Sequence, residues 1–180
     1  MRSVVVFCAV VALLAASDVA SASDVNAPDV WEVAPRVGAT IVGPGHYQTG
    51  GLTLGVGARR LFWLGDGAAL HIDLGANVIG VGQPLDHVGW ICSIGGGANA
   101  RVGPVDISGT ITQGYGALRV ANGWGLPMRY RGGYPSAGVR SSYRTSDKTA
   151  IGVEAVGLWV KTIGWEGAAM SARAVGTLTW

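Results

Sequence analysis

Glu166-Gly167-Ala168-Ala169-Met170-Ser171-Ala172-Arg173-Ala174-Val175-Gly176-Thr177-Leu178-Thr179-Trp180 closes the sequence and decides how the rest is read. Counting back from Trp180, every second residue is apolar or small: Leu178, Gly176, Ala174, Ala172 and Met170. Between them stand Thr179, Thr177, Val175, Arg173 and Ser171, mostly polar. A period of two marks an extended strand, whose side chains point alternately to two faces. This strand therefore has one apolar and one polar face.

The same period recurs upstream. Trp31 to Gly43 sets Trp31, Val33, Val37, Ala39 and Ile41 against Glu32, Arg36, Gly38 and Thr40. Gly51 to Trp63 sets Leu52, Leu54, Val56, Ala58 and Phe62 against Thr53, Gly55, Gly57 and Arg59. Arg60 falls on the apolar parity there, either snorkelling at a membrane interface or marking a bulge. Ala69 to Val81 is the cleanest: Leu70, Ile72, Leu74, Ala76 and Val78 oppose His71, Asp73, Gly75 and Asn77. Further strands are expected at Trp90 to Val102, Val105 to Arg119, Tyr134 to Arg144 and Ala150 to Lys161, with Ala121 to Gly133 as the longest break. Eight strands of about 11–15 residues exceed the ~5–6 usual in globular domains and suit tilted membrane strands of ~9–11 residues.

Met1 to Ala22 reads as a secretory signal peptide: Arg2 is basic, Val4 to Ala16 is apolar, and Ala20-Ser21-Ala22 offers a cleavage site. The expected division is a signal at 1–22 and one barrel domain at 23–180. Removing the signal takes Cys8 with it, so Cys92 has no partner for an intramolecular disulfide and reads as a small hydrophobe. The chain holds 13 Lys+Arg and 11 Asp+Glu, net +2. That near balance gives no basic excess for nucleic acid. Glycine, 30 of 180 residues, is scattered without a collagen period. No later apolar run reaches the ~18 residues of a membrane helix.

Alternation alone does not separate a soluble barrel from a membrane one, because the two invert each other's faces. Three patterns favour the membrane form. The second, fourth and sixth connections are tight (Gly65-Asp66-Gly67, Gly103-Pro104, Ser146-Asp147-Lys148), whereas the first, third, fifth and seventh are longer. Aromatic residues gather at strand ends, Trp31, Phe62, Tyr143 and Trp180 at one and Trp90, Tyr115, Tyr134 and Trp159 at the other, as two interfacial girdles do. The polar face carries Arg36, His71, Asp73, Asn77, Arg101, Asp106, Arg140, Arg144, Glu154 and Arg173. Enclosed in a narrow lumen, these charges must pair. They are expected to form a salt-bridge plug with no continuous pore.

The expected fold is thus all-β, an eight-stranded antiparallel up-and-down transmembrane barrel. In strand number, turn pattern and terminal aromatic the chain resembles the small eight-stranded outer-membrane proteins, of the OmpA membrane-domain and OmpX kind. Trp180 stands where that family more commonly has Phe. The resemblance implies a bacterial outer-membrane location after secretion to the periplasm. It also implies contact with outer-membrane lipid, including lipopolysaccharide, and assembly through the C-terminal strand. Some barrels of this shape modify lipid A, using a His-x-Ser arrangement or loop His, Asp and Ser residues. His46, His71 and His87 match neither, since none is followed two places on by Ser and no Ser stands next to Asp86.

No catalytic residue, metal ligand or cofactor site is expected. His71 and Asp73 share a face, but two side chains do not complete a metal site. In the fifth connection Trp124, Met128, Arg129, Tyr130 and Arg131 combine aromatics with cations, as interaction surfaces do. Arg119 lies nearby, and lipopolysaccharide phosphates would suit the group. The functional expectation is a non-enzymatic barrel with a structural, adhesive or surface-protective role. The alternatives are a narrow channel, a lipid A-modifying enzyme and a soluble ligand-binding barrel. The facing of Leu70, Ile72 and Leu74 decides against or for the last.

Overall fold

The computed structural model describes residues 30–43, 49–65, 67–81, 87–121, 127–162 and 165–180, with side chains described for 30–42, 50–64, 67–80, 89–117, 131–159 and 168–180. The expected signal peptide, His46, Asp86 and Trp124 lie outside the described residues. Eight strands follow in order: β1 (Val30–Gly43), β2 (Thr49–Gly65), β3 (Ala68–Val81), β4 (His87–Val102), β5 (Val105–Ala121), β6 (Pro127–Arg144), β7 (Thr149–Thr162) and β8 (Trp165–Thr179). Each pairs antiparallel with the next, and β1 pairs with β8 to close the barrel. Closure matters because a sheet with no edge leaves no row of unpaired backbone groups.

At the seam Gly38 faces Arg173 and Ile41 faces Met170. The ladder skips the pairs that Ala34 and Pro35 would make, since proline has no N–H to donate. Beyond this gap Trp31 N–H donates to the Trp180 carbonyl and Trp180 N–H to that of Trp31, each at 3.1 Å. The C-terminal residue is thereby fastened to the first strand.

Two strands begin earlier than the sequence indicates. β6 starts at Pro127, not Tyr134, so most of the expected Ala121–Gly133 break is paired strand. Met128, Arg129, Tyr130 and Arg131 face Val120, Arg119, Leu118 and Ala117 of β5. Pro127 and Gly132-Gly133 suggest a loop locally, but the cross-strand ladder overrides that preference, and Pro127 stands at the strand's first position, where no ladder donor is needed. Similarly, β8 starts at Trp165, which leaves only 163–164 between it and β7. The first, third and fifth connections stay longer than the turns at 66–67 and 103–104; the seventh does not.

The bulge is also displaced. Arg60 pairs in unbroken register with Trp31 and Ile72, and the irregularity falls between Trp63 and Gly65. Gly103, at φ +59°, opens the two-residue turn between Val102 and Val105. Only glycine enters this region freely, and Pro104 then fixes the next φ.

The side chains are inverted relative to a soluble barrel. Leu70 (51% exposed) and Ile72 point outward, as do Leu54, Ile111 (73%), Val153 and Met170 (70%). Arg36, Arg59, His71, Asp73, Arg140, Glu154 and Arg173 are buried inside. This facing excludes a soluble barrel with an apolar interior.

Candidate functional site

Among the described residues, the interior is where the fold gathers chemistry-bearing side chains. Its centre is a chain of ion pairs linking five strands. Arg59 Nε (β2) lies 3.4 Å from Asp73 Oδ2 (β3), which also meets Arg36 Nη2 (β1) at 3.3 Å. Arg36 Nε is 3.6 Å from Glu154 Oε2 (β7), and Arg173 Nη1 (β8) donates to the same oxygen at 3.4 Å. The arrangement is forced by confinement, because each charge has left water and only a partner offsets that loss.

Neutral donors and acceptors extend the belt to β5 and β6. Arg59 Nη1 donates to Ser108 Oγ at 3.0 Å, and His71 Nε2 shares a hydrogen bond with Thr110 Oγ1 at 3.0 Å. Arg140 Nη2 donates to Thr177 and lies 3.9 Å from Glu32 Oε2. Interior glycines provide the room. A Cβ at Gly57 would overlap the Arg36 guanidinium, one at Gly55 would approach Asn77 Cγ to 2.9 Å, and one at Gly97 would meet His71 Nε2 at 2.9 Å.

Not every expected lumen residue joins this belt. Arg101 Nε pairs with Asp106 Oδ1 at 2.8 Å near the Gly103-Pro104 turn, and its guanidinium covers the Trp63 ring at 4.2 Å. Arg144 meets Asp147 at 3.9 Å on the exposed rim. Those two pairs form a separate outer layer at the turn end. Conversely, Arg59 and Glu32 belong to the interior and were absent from the expected set. Both sit on the polar parity of their strands, so alternation alone identifies them.

Towards the loop end the interior changes character. Thr40 bonds Thr53 and, at 2.6 Å, Ser171; Thr112 bonds Ser136 at 2.5 Å. Beyond them Val42, Ile79, Ile91, Tyr134, Leu158 and Ala169 form an apolar collar drawn from six strands. Tyr134, expected in the outer aromatic girdle, is instead in this collar and only 1% exposed. At the start of the expected Tyr134–Arg144 strand it reads as a girdle residue, but it lies inside the longer β6 and its parity, shared with Ser136, Arg140 and Ser142, points inward. Between collar and belt lies a cavity of about 50 Å³. Arg36 Nε, Asn77 Oδ1 and Arg173 Nε, atoms of cavity-lining residues, make no hydrogen bond within the protein.

The other girdle residues face outward. Trp31 and Phe62 flank Arg60, whose Cζ lies 5.6 and 5.5 Å from their ring centroids. Tyr143, Trp159 and Trp180 are exposed, and Trp90 packs against Tyr115 with centroids 6.4 Å apart. Of the loop candidates, Arg131 is exposed on β6; the Arg129 and Tyr130 side chains are outside those described.

No protein-family model matches the chain, and no curated protein matches it in sequence. Solved structures do match its fold. Neisserial surface protein A superposes with a TM-score of 0.62 at 12% identity, covering 83% of this chain and 96% of that one. Ail, the attachment invasion locus protein of Yersinia pestis, gives 0.59 at 11%, covering 84% and 99%. The N-terminal β-barrel domain of Pseudomonas aeruginosa OprF gives 0.55 at 12%, covering 84% and 98%. At these identities the likeness concerns architecture. Closed order, strand number and inverted facing agree with it: the protein has the fold of the small eight-stranded outer-membrane β-barrels.

Proposed function

We propose that the protein is a non-enzymatic outer-membrane barrel, secreted through its signal peptide to the periplasm and inserted from that side, with a structural, adhesive or surface-protective role. The observation that carries this reading is the pairing of an apolar outer face with a lumen crossed by the Arg59–Asp73–Arg36–Glu154–Arg173 chain. A membrane supplies the apolar solvent that the outer face requires. Paired charges across so narrow a bore disfavour a pore. They also disfavour catalysis at His71, which is buried and hydrogen-bonded to Thr110.

Lipid is the natural partner of the outer face. At the loop end, exposed Arg131 lies opposite Ala117, and Arg119 faces Arg129 across the β5–β6 ladder. Arginines gathered along this ladder by register would suit a phosphate of lipopolysaccharide. Assembly would depend on β8, which must pair on both edges. Two measurements test the proposal together. Cell fractionation should find the chain in the outer membrane, and planar bilayers should show no conductance steps from the purified barrel. A soluble periplasmic chain, discrete conductance, or an altered lipid A mass spectrum on overexpression would each refute it.

A further inference from the structure

We propose that two physically distinct barriers in series shut the lumen: the ion-pair belt, and the apolar collar around Tyr134 acting as a dewetting gate. The inference deepens the closed-barrel reading and rests on it. The cavity between the barriers makes them separable. Its walls include Ile79, Ile91 and Leu158 from the collar and Arg36, Asp73 and Glu154 from the belt. About 50 Å³ exceeds the ~10–15 Å³ that one water needs. Arg36 Nε, Asn77 Oδ1 and Arg173 Nε belong to residues more than nine-tenths buried and make no hydrogen bond within the protein. A polar chamber of this kind holds water, since its walls supply the two to four bonds a water requires.

The collar cannot treat water that way. Apart from the single Tyr134 hydroxyl, its methyl and ring surfaces offer nothing to replace an ion's hydration, and a constriction with such walls stops ions by dewetting. The belt stops them differently, by filling the bore with paired guanidinium and carboxylate groups. Neither barrier depends on the other, because collar and belt share no residue.

The test uses the full barrel reconstituted in phospholipid planar bilayers, as wild type, Tyr134→Ala, Arg36→Ala/Glu154→Ala and the triple variant. The paired belt variant removes one cation and one anion, so interior charge balance is kept. The first three are expected to be silent and the triple variant to show discrete conductance steps. Conductance from either partial variant, or silence from an inserted triple variant, overturns the inference. Conductance from the wild type overturns the closed-barrel reading itself.

Insertion is checked by heat-modifiable mobility, with Leu158→Ser replacing Tyr134→Ala if that barrel does not insert. A second readout needs no ion to cross both layers. Ser93 lines the chamber, so Ser93→Cys in a Cys92→Ser background puts a thiol there for silver ion to find. In detergent, opening either layer should raise the silver reaction rate at least ten-fold. A rate in Tyr134→Ala equal to that of the intact collar, or a fast rate with both layers intact, contradicts the proposal.

Discussion

Glu154→Gln is the sharpest perturbation of the belt. Glu154 is buried, and its Oε2 stands 3.6 Å from Arg36 Nε and 3.4 Å from Arg173 Nη1. The amide keeps the shape and one acceptor but removes the charge. Arg36 retains Asp73 at 3.3 Å; Arg173 has Glu154 as its one ion-pair partner among the described residues. Orphaning a buried charge by removing its partner costs about 3–5 kcal/mol. With one acceptor retained and Arg36 still paired, a loss of about 2–4 kcal/mol is expected. Glu154→Gln/Arg173→Met removes the orphan as well, and should be less destabilised than the single variant by at least ~1 kcal/mol. Urea unfolding of the barrel in lipid vesicles, followed by tryptophan fluorescence, measures both. A single variant within ~0.5 kcal/mol of wild type, or a double variant less stable than the single, would refute the ion-pair account.

Three further outcomes follow from the geometry. Gly57→Val should displace Arg36 from Asp73 and cost about 1–3 kcal/mol, while Gly50→Ala, with nothing within 4 Å of its Cβ, should change unfolding by less than ~0.5 kcal/mol. Ile111→Arg, on the outer face between Val105 and Tyr115, should cost about 2–4 kcal/mol in vesicles; a neutral result would mean that face meets water. Deleting Trp180 removes both hydrogen bonds to Trp31. It should lower the yield of heat-modifiable barrel much further than Arg131→Ala does, and equal yields would show that the seam does not govern assembly.

Most of the architecture is legible in the sequence because one physical rule, alternation, runs through all eight strands. Met170, Ala172, Ala174 and Leu178 share one parity and all face outward. The failures have separate causes. The β5–β6 hairpin extends past residues whose local preference is for turns, because the partner strand supplies ladder bonds that Gly132, Gly133 and Pro127 do not advertise. The girdle expectation for Tyr134 rests on height along the strand, and height carries no information about face.

The apolar collar was invisible for a related reason. Val42, Ile79, Ile91 and Leu158 sit on the polar parity, where apolar residues register as exceptions rather than as a layer. Only closure of the barrel brings those exceptions, scattered along the chain, to one height. The pairing of particular arginines with particular carboxylates is likewise set by register and by which glycines leave room, as Gly57 does for Arg36. Composition says that charges must pair; it does not say which.

The inverted facing of the strands in a membrane can be measured on β3. Single cysteines placed along residues 69–79 in a Cys92→Ser background, spin-labelled and reconstituted in lipid vesicles, report collision with membrane-dissolved oxygen. Collision rates should follow a period of two, with maxima at Leu70, Ile72, Leu74, Ala76 and Val78. A flat profile, or maxima at the odd positions that include His71, Asp73 and Asn77, would contradict it.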